Sequence, residues 1–353
     1  MTEHVRIAES RGVGRITLTR PEALHALNEP MCRAILDALQ NWKARDDIYL
    51  VYVDHEDQTR GFCAGGDIAM LRESGLSDGA EARAFFATEY QMNVAIKSFP
   101  KPYVAVMDGI TMGGGVGLSV HGSYRIATER TVFAMPETGI GLFPDVGGGW
   151  FLPRLSGELG TWLALTGARL KGTDVCAAGI GTHFIPSELI PNLKAQIADA
   201  DFSAGAAELL GSLLASVAKP VPEPTYAEHM TVINSGFAMD RAEDILDALE
   251  NTENEWAQAQ AISLKRKSPE TVKVALKQIR LGRALTDFED NMRMEYRIGW
   301  RKIQSPDFIE GVRAVILDKD NEPNWMPARL EDVTDADVDR YFASLDTEEL
   351  QFD

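Results

Sequence analysis

Two glycine-rich turns and two later carboxylates provide the groups that carbonyl chemistry requires. The turns span residues 63–67 and 113–117, and each could point a backbone N–H at a ligand. Glu137 and Asp145 follow in loop-like sequence. Amides that begin a helix can stabilise an oxyanion, and a carboxylate nearby can act as a base or a nucleophile. This combination predicts carbonyl chemistry in which no metal takes part.

Gly66 and Gly114 are the candidate backbone donors in the two turns. Two N–H groups from separate loops can hold one carbonyl oxygen if the fold brings them together. A single glycine turn more often serves a tight turn or close packing of the backbone. The functional interpretation therefore depends on the pair of turns and on the acids that follow them.

The surroundings of Glu137 and Asp145 distinguish them from other acids. The chain contains 53 Asp and Glu residues, so a solvated surface position is the default for any one of them. These two each follow a proline, eight positions apart, in an apolar and glycine-rich stretch. A charge in such a stretch is unfavourable unless it is used. We therefore predict that both carboxylates are functional.

Other catalytic patterns are incomplete. A dinucleotide fingerprint that starts at Gly115 has Val120 where its third glycine belongs. A nucleophile elbow centred on Ser119 has His121 in place of its last glycine, so we do not expect a serine nucleophile. The six histidines lack the spacing of metal ligands, and no metal site is predicted.

A cysteine and a basic cluster each leave two interpretations open. Cys63 could be a nucleophile, but free cysteine usually packs as a small hydrophobe, and we favour that role. Lys265, Arg266 and Lys267 form the clearest basic cluster. They could meet phosphate groups, although a solvated helix end is the favoured interpretation.

Composition limits the partners and the location of the protein. The chain has 353 residues, a net charge of −18 and a pI of about 4.8, so neither nucleic acid nor an anionic membrane is a predicted partner. Three widely spaced cysteines favour a reducing compartment over a disulfide framework. Residues 1–6 are polar and lack a signal core, while residues 102–120 contain Asp108 and five glycines and are a poor membrane span. We therefore predict a cytoplasmic protein.

Short strands and helices alternate in the part of the chain that must position these residues. Residues 5–19 predict two strands, and Asn28 is the predicted cap of a helix with apolar residues at helical spacing. A strand at residues 103–107 leads into the second glycine turn, and Glu137 falls just after a strand at residues 131–134. This alternation predicts an α/β fold.

Helical patterns dominate the sequence after residue 185. Three prolines, at positions 220, 222 and 224, predict a boundary between a core of residues 1–219 and a mainly helical C-terminal region of residues 220–353. Residues 147–155 predict a helix that follows Asp145. Residues 312–317 fit either a strand or the continuation of a helix.

Together these motifs resemble the crotonase, or enoyl-CoA hydratase/isomerase, superfamily. Residues 63–67 and 113–115 are similar to the two loops that form the oxyanion hole of that superfamily. The resemblance implies an α/β crotonase-type spiral of ββα units with a helical C-terminal region. It also implies that residues 1–219 form an acyl-CoA-binding catalytic core, with an oxyanion hole made by the N–H groups of Gly66 and Gly114.

Two positions, 117 and 145, separate this chain from typical hydratases of the superfamily. Those enzymes have a catalytic glutamate where this chain has Gly117, and their second glutamate corresponds to Glu137. They tend to have glycine where this chain has Asp145. This exchange of acids resembles the superfamily's hydrolases of 3-hydroxyacyl-CoA thioesters. The stretches that share this likeness are residues 89–90, 109–122, 133–138, 141–149, 295–297 and 310–315.

The resemblance also implies roles for individual residues. Glu137 would be catalytic, either attacking the thioester or activating water, and Asp145 would hold the 3-hydroxyl group of the substrate. The implied substrate-binding residues are Glu89, Gly114, Glu137 and Asp145. Glu89 matches a position that the family uses near the substrate, with a packing or surface role within its helix as the alternative.

The implied reaction is hydrolysis of a 3-hydroxyacyl-CoA, with 3-hydroxyisobutyryl preferred, to the free acid and CoA, as in valine breakdown. No cofactor is implied, because CoA is part of the substrate. A hydratase or isomerase of the same fold is the first alternative, and a non-catalytic CoA-binding or assembly subunit is the second. Crotonase relatives often form trimers, so a homo-oligomer is a further expectation.

Overall fold

The computed structural model describes residues 3–56 and 59–352, so residues 1 and 2 of the N-terminal hexapeptide lie outside the described part. The strands are β1 Val5–Ser10, β2 Val13–Leu18, β3 Leu50–His55, β4 Gly61–Cys63, β5 Tyr103–Met107, β6 Ile110–Met112, β7 Tyr124–Ala127, β8 Val132–Ala134, β9 Leu170–Lys171 and β10 His183–Phe184. The α-helices are α1 Glu29–Ala44, α2 Ile68–Gly75, α3 Ala80–Lys97, α4 Gly114–Ser119, α5 Gly148–Phe151, α6 Leu159–Thr166, α7 Thr173–Ala177, α8 Ile190–Asp199, α9 Ala206–Val217, α10 Met230–Gly236, α11 Ala242–Glu250, α12 Glu255–Lys265, α13 Pro269–Ala284, α14 Phe288–Lys302, α15 Pro306–Val312 and α16 Asp335–Phe342. These strands all precede α8, and the C-terminal region is helical as predicted.

Packing divides the chain into two compact units whose segments alternate in sequence. The first unit comprises Met1–Gly66, Gln91–Phe133 and Leu170–Thr225, and the second comprises Asp67–Tyr90, Ala134–Arg169 and Tyr226–Asp353. Residues 80–90 of helix α3 belong to the second unit, and residues 91–97 belong to the first. The division at residues 219 and 220 stays a prediction, because packing units do not test which part of the chain binds an acyl-CoA.

Two sheets form the framework of the first unit. Within the described residues one has the strand order β1-β2-β3-β5-β7-β10 and the other has the order β4-β6-β8-β9. The β1–β2 hairpin is antiparallel, whereas the remaining pairs of the larger sheet are parallel. Every residue of β3 is buried, as in a central strand of a parallel sheet that is covered on both faces. The predicted α/β class is confirmed.

One face of the larger sheet packs against α8 and α9. Alternate residues of a strand point to the same face, and here they meet the apolar sides of the two helices. The core contains Val13, Leu50, Tyr52, Val104, Val106, Ile126, Ile190, Leu193, Ile197, Leu210 and Leu214. This core holds β5 in place, and β5 is followed by β6, which leads into the second glycine turn.

Helix α1 begins as the sequence predicts. The side chain of Asn28 accepts a hydrogen bond from the N–H of Met31 at 3.1 Å, which satisfies one of the free amides in the first turn. The buried residues Ile35, Leu39 and Trp42 lie on one side of this helix. The capping residue and the spacing of the apolar residues therefore predict the same helix, and both are properties of the local sequence.

The second unit is largely helical, and two of its helices carry buried polar side chains. Ser268 caps α13 and Asp287 caps α14. Gln278 on α13 and Asn291 on α14 are completely buried. Buried polar groups of this kind need hydrogen-bond partners: the amide of Gln278 donates to the carbonyl of Pro144 and to Glu295, and that of Asn291 donates to Glu295.

Two local predictions differ from the structure or are resolved by it. The helix predicted at residues 147–155 is only the short α5, followed by the 3₁₀ turn Leu152–Arg154, because Pro153 lacks an N–H and cannot continue the α-helical pattern. Residues Arg313–Leu317 continue α15 as a π-helical turn, which decides between the two interpretations of that stretch. No helix among the described residues is both long and apolar enough to cross a membrane.

Candidate active site

The two glycine turns follow the carboxyl ends of neighbouring strands in the first unit. Strands β4 and β6 are parallel, with Gly61 opposite Ile110. The turns lie close together, since a Cβ added to Gly65 would be 3.8 Å from the backbone nitrogen of Gly114. Parallel pairing thus brings Gly114 beside the turn that contains Gly66, as an oxyanion hole built from both turns requires.

The segment before α1 supports the first turn. The N–H of Leu27 donates to the carbonyl of Gly65 at 2.8 Å, and the N–H of Ala64 donates to the carbonyl of Leu24 at 3.0 Å. Leu27 bonds to Gly65 rather than to Gly66, which leaves the Gly66 N–H outside this hydrogen bond. The backbone of the turn is therefore held while the amide of Gly66 can serve another partner.

Cys63 has a packing role in this turn. Its side chain is fully buried, and its Sγ lies 3.2 Å from the carbonyl oxygen of His25. A buried thiol that donates to a backbone carbonyl is held as a small core residue and is not presented to a ligand. The structure thus supports the packing interpretation over the nucleophilic one.

Helix α4 starts at Gly114 because glycines on both sides of it permit a close approach. Gly113 has a φ of +45°, and a Cβ on Gly115 would lie 2.2 Å from the carbonyl oxygen of Cys63. In the first turn of a helix the N–H of Gly114 has no intrahelical carbonyl to bond. Ser119 is buried and its hydroxyl donates to Gly115 at 2.8 Å, so it is occupied within its own helix.

Four carboxyl groups are buried together in the second unit. Glu89, Glu137, Asp145 and Glu295 are 2 %, 5 %, 5 % and 0 % exposed. Burial raises the pKa of each, and the negative charge of Asp145 raises the pKa of the other three further. The structure therefore brings the three acids predicted from sequence into one electrostatic cluster and adds a fourth.

Asp145 has one oxygen fixed by a tyrosine. The hydroxyl of Tyr90, which is completely buried, donates to Oδ2 of Asp145 at 2.9 Å. Burial raises the pKa of Asp145 to about 7, and the hydrogen bond from Tyr90 opposes this change. Asp145 therefore titrates near neutral pH with a defined side-chain orientation.

Glu89 favours its protonated form within this cluster. Burial, and then the charges of Asp145 and Glu137, raise its pKa well above the usual range. Its Oε1 is buried and has no hydrogen-bond partner among the described residues, whereas Asp145 receives the hydroxyl of Tyr90. Burial therefore favours the neutral form of Glu89, while the hydroxyl of Tyr90 favours the charged form of Asp145.

Glu137 begins the 3₁₀ turn Glu137–Ile140 with an unpaired oxygen. Its Oε2 is buried and lacks a partner within the described residues. Burial and the charge of Asp145 raise its pKa, while the positive charge of Lys267 opposes the rise. An unpaired buried oxygen is unfavourable in a closed core, but it suits an atom that must meet a ligand.

The basic cluster is divided by the fold. Lys265 ends α12 and forms an ion pair with Glu250, and Arg266 is exposed, as the solvated interpretation predicts. Lys267 is half-buried, and its Nζ lies 3.5 Å from the position that a Cβ on Gly139 would take. Lys267 therefore provides positive charge beside the 3₁₀ turn that starts with the candidate catalytic glutamate.

Glu295 is anchored by four hydrogen-bond donors. Oε2 accepts from the N–H of Gly147 at 2.7 Å, and Oε1 accepts from the N–H of Gly149 at 2.9 Å. Oε1 also accepts from the side-chain amides of Asn291 at 2.9 Å and Gln278 at 3.1 Å. Burial raises the pKa of Glu295 to about 8, although the backbone donors of the loop favour its charged form.

Tyr90 and Glu295 were not among the site residues predicted from sequence. Both stand in stretches that share the family likeness, but nothing local marks either side chain as a partner of the loop that follows Glu137. Spacing offers one signal, because Asn291 and Glu295 are four positions apart and face the same side of α14. Among the described residues no group of three or more His, Cys, Asp or Glu side chains is arranged to hold a metal ion. The absence of a cofactor stays a prediction.

An enzyme for acyl-group chemistry is the class that this fold and these groups define. The chain belongs to the enoyl-CoA hydratase/isomerase family, which matches residues 13–342. The family resemblance seen in the glycine turns and in the acids after them is thereby confirmed.

Curated relatives that match over nearly their full length indicate a branch within this family. The mitochondrial 3-hydroxyisobutyryl-CoA hydrolase of Rattus norvegicus is 46 % identical over 361 residues, which covers all of this chain and 93 % of the relative. The enzyme of the same name from Homo sapiens is 42 % identical and covers 99 % of this chain and 91 % of the relative. These names agree with the branch of the superfamily that the acids at positions 137 and 145 resemble.

Solved structures share the whole fold. A carnitinyl-CoA dehydratase from Mycobacterium thermoresistibile superposes with a TM-score of 0.93 at 38 % identity, covering 99 % of both chains. An enoyl-CoA hydratase from Rhodobacter sphaeroides gives a TM-score of 0.89 at 39 % identity, covering 99 % of this chain and all of the other. The crotonase-type fold with a helical C-terminal region is therefore confirmed.

The predicted cytoplasmic location is wrong by this comparison. The relatives from rat, mouse and human are all named as mitochondrial enzymes. The prediction came from the lack of a secretory signal core and from cysteines suited to a reducing compartment. Neither property differs between proteins of the cytoplasm and of the mitochondrial matrix, so these sequence features could not distinguish the two locations.

Proposed function

We propose that this protein hydrolyses 3-hydroxyacyl-CoA thioesters, with 3-hydroxyisobutyryl-CoA preferred, to the free hydroxy acid and CoA. The observation that carries the proposal is the buried cluster of Glu89, Glu137 and Asp145, in a chain that has Gly117 where hydratases have an acid. The names of the curated relatives support the same reaction, and a place in valine catabolism is proposed from the family resemblance alone.

The glycine turns would stabilise the charge that develops on the thioester oxygen. In this proposal the N–H groups of Gly66 and Gly114 donate to that oxygen as the carbonyl carbon becomes tetrahedral. A donor of this type typically contributes about 10² to 10³ in rate. The closeness of the two turns supports the assignment, since a Cβ on Gly65 would reach within 3.8 Å of the Gly114 nitrogen.

Glu137 would carry out the covalent or general-base step. As a nucleophile it would form a C–O bond to the acyl carbon while the C–S bond breaks and CoA leaves as a thiolate, which then takes up a proton. Water would hydrolyse the resulting anhydride and restore the carboxylate. As a base it would instead take a proton from the water that attacks the same carbon. Its unpaired Oε2 supports both routes.

Asp145 and Glu89 would recognise the acyl group. A charged Asp145, held by Tyr90 through one oxygen, can accept a hydrogen bond from the 3-hydroxyl of the substrate. Glu89, which keeps its proton, can donate where Asp145 accepts. A site that pairs with a hydroxyl discriminates strongly against an analogue without one, because its own polar group is then left unpaired.

A hydratase activity is the second candidate function, because the two solved relatives described above are named a dehydratase and a hydratase. Addition of water to an enoyl-CoA by the usual route needs two acids, and Gly117 removes one of them. A non-catalytic CoA-binding role is disfavoured, since buried unpaired carboxylates are unfavourable unless they are used.

A panel of acyl-CoA substrates tests the proposal. Release of free thiol is measured with 3-hydroxyisobutyryl-CoA, 3-hydroxypropionyl-CoA, isobutyryl-CoA and crotonyl-CoA, and hydration of crotonyl-CoA is followed by the loss of its enoyl absorbance. We expect thiol release that is fastest with the 3-hydroxyacyl thioesters. Hydration without thiol release would establish the second candidate, and inactivity in both assays would support the non-catalytic alternative.

A further inference from the structure

We propose that Glu295 is a positioning residue for substrate specificity: it holds the loop of residues 144–149 so that Asp145 meets the 3-hydroxyl group of the substrate. This inference rests on the proposed function, and it assigns no substrate contact to Glu295 itself. Glu295 acts from α14, on a segment of the chain 148 positions beyond the loop glycine that it binds.

The loop is held at three successive points. Gln278 donates to the carbonyl of Pro144 at 2.7 Å, directly before Asp145. Glu295 accepts from the amides of Gly147 and Gly149, directly after it. Gln278 also donates to Glu295 at 3.1 Å, so the contacts on both sides of Asp145 meet in one buried group.

The backbone between these contacts is unfavourable without support. Val146 has a φ of +50°, in the left-handed region that a β-branched residue rarely adopts. Strain of this kind costs about 1–3 kcal/mol and persists only where the surroundings enforce it. Gly147, with a φ of +90°, continues the same turn and presents its N–H to Glu295. The hydrogen bonds of Gln278 and Glu295 to this loop, which we call the clamp, therefore maintain a conformation that the loop would not keep alone.

A carboxylate is the group that this clamp requires. Two backbone N–H donors approach different oxygens of Glu295, one at Oε2 and one at Oε1. A glutamine in its place would have to turn its NH₂ group toward one of these donors, because only one of its two atoms can accept. Glu295→Gln thus keeps the size of the side chain while it breaks one anchor of the loop.

A second buried glutamate of the same unit provides a matched control. Glu270 on α13 is 5 % exposed, and it accepts from Lys302 at 2.6 Å, Arg340 at 2.6 Å and Tyr341 at 2.8 Å. These partners lie on α14 and α16, and none belongs to the loop of residues 144–149. Glu270→Gln therefore disturbs a buried network of the same unit without removing a contact of that loop.

The test compares hydroxyl preference, defined as kcat/KM for 3-hydroxyisobutyryl-CoA divided by kcat/KM for isobutyryl-CoA. Loss of the hydrogen bond in Asp145→Ala should lower this preference about ten- to a hundredfold. Glu295→Gln should lower it about tenfold, as expected for a misplaced contact group. The double variant should match Asp145→Ala within about twofold, because Glu295 acts through Asp145. Glu270→Gln should leave the preference unchanged.

Each failure has a distinct meaning. If Asp145→Ala lowers the preference and Glu295→Gln does not, the positioning role is overturned while the proposed function stands. If Asp145→Ala leaves the preference unchanged, the hydroxyl-reading role of Asp145 in the proposed function fails, and this inference fails with it. If both Glu295→Gln and Glu270→Gln lower the preference equally, the effect is general destabilisation and the inference is overturned.

A milder variant covers the case in which Glu295→Gln does not fold. Gln278→Met removes the donor to Pro144 and to Glu295 with little change in volume. Loss of a neutral hydrogen bond corresponds to roughly a two- to tenfold change, so the hydroxyl preference should fall within that range. A folded Gln278→Met protein with the wild-type preference would also overturn the inference.

Discussion

At the scale of single residues, Glu137 is defined by what its carboxyl group lacks. One oxygen is buried and has no partner among the described residues, and the positive charge of Lys267 acts on the carboxyl group without a recorded ion pair. Such a group is poorly satisfied in the absence of a ligand. Its environment is consistent with a nucleophile or a base, and it has no clear use as a structural contact.

Replacement of Glu137 by glutamine tests this assignment. Glu137→Gln preserves the shape but can neither attack the acyl carbon effectively nor accept a proton from water. We expect kcat for 3-hydroxyisobutyryl-CoA to fall by about 10² to 10⁴. Steady-state thiol release is the measurement, with the melting temperature as a control for folding. A variant within about threefold of the wild type would refute the catalytic role.

The titration of Asp145 predicts a pH-dependent specificity. Its pKa is raised to about 7, so the group is mostly neutral below that pH and mostly charged above it. A charged carboxylate is the stronger acceptor for the substrate hydroxyl. We therefore expect the hydroxyl preference to rise from about pH 6 to about pH 8, because the charged fraction increases through that range.

Asp145→Asn supplies the control for that experiment. The amide can still accept a hydrogen bond but does not titrate, so its hydroxyl preference should stay constant over the same pH range. Because the preference is a ratio, a pH effect of Glu137 that is common to both substrates cancels. A wild-type preference that is flat or falls with pH would contradict the role given to Asp145.

At the scale of elements, the contact of α4 with β4 determines where the Gly114 amide lies. A Cβ on Gly115 would approach the carbonyl oxygen of Cys63 to 2.2 Å, which no side chain can tolerate without a shift of the helix. Gly211 in α9 gives a direct contrast, because a Cβ there would meet no described atom within 4 Å outside the adjacent backbone of its own helix.

Substitution by alanine at these two glycines should change the stability of the protein in opposite directions. Gly115→Ala should lower the melting temperature and, by moving the Gly114 donor, reduce kcat by about 10² or more. Gly211→Ala should stabilise the protein by about 0.4–1 kcal/mol and leave kcat unchanged. Thermal unfolding and thiol release measure both effects. A wild-type kcat in Gly115→Ala would show that the contact between α4 and β4 does not position the donor of the oxyanion hole.

Local signals account for the elements that sequence reasoning predicted well. Asn28 caps α1 as its position indicates, and the strands on both sides of the Arg11–Gly12 turn are β1 and β2. Pro153, by contrast, shortens the helix predicted after Asp145. The contact of Glu295 with Gly147 joins positions 148 apart, so no local spacing could predict it. The site residues could be predicted from family likeness, whereas the groups that hold them in place could be identified only from the folded structure.

At the scale of the whole molecule, the buried acids connect folding to pH. A carboxyl group whose pKa rises on folding keeps a proton that the unfolded chain has already released. Its stabilising contribution is full below about pH 4 and is lost as the pH rises through the folded-state pKa. Glu89, Glu137 and Asp145 all act in this direction, with a pKa of about 7 for Asp145.

Removal of one of these acids should flatten the pH dependence of stability. In Glu89→Gln we expect the free energy of unfolding to fall less steeply than in the wild type between about pH 5.5 and 7.5, by up to about 1.4 kcal/mol per pH unit. Denaturant unfolding at several pH values measures the slope. The exposed residue Glu223 provides a control, since Glu223→Gln should keep the wild-type slope. Equal slopes for Glu89→Gln and the wild type would show that Glu89 is ionised in the folded state.

The alternation of the two packing units along the chain also governs the order in which the protein can be completed on a ribosome. The first unit receives its last segment at Thr225, but the second waits for residues 226–353. At roughly 5–20 residues per second, translation of those 128 residues takes on the order of 6 to 26 s. During that interval the segments with Glu137 and Asp145 have left the peptidyl-transferase centre without α14 and its Glu295. The acids assigned to catalysis are therefore translated before the helix whose Glu295 holds the loop of Asp145, and the second unit cannot be completed until that helix has been made.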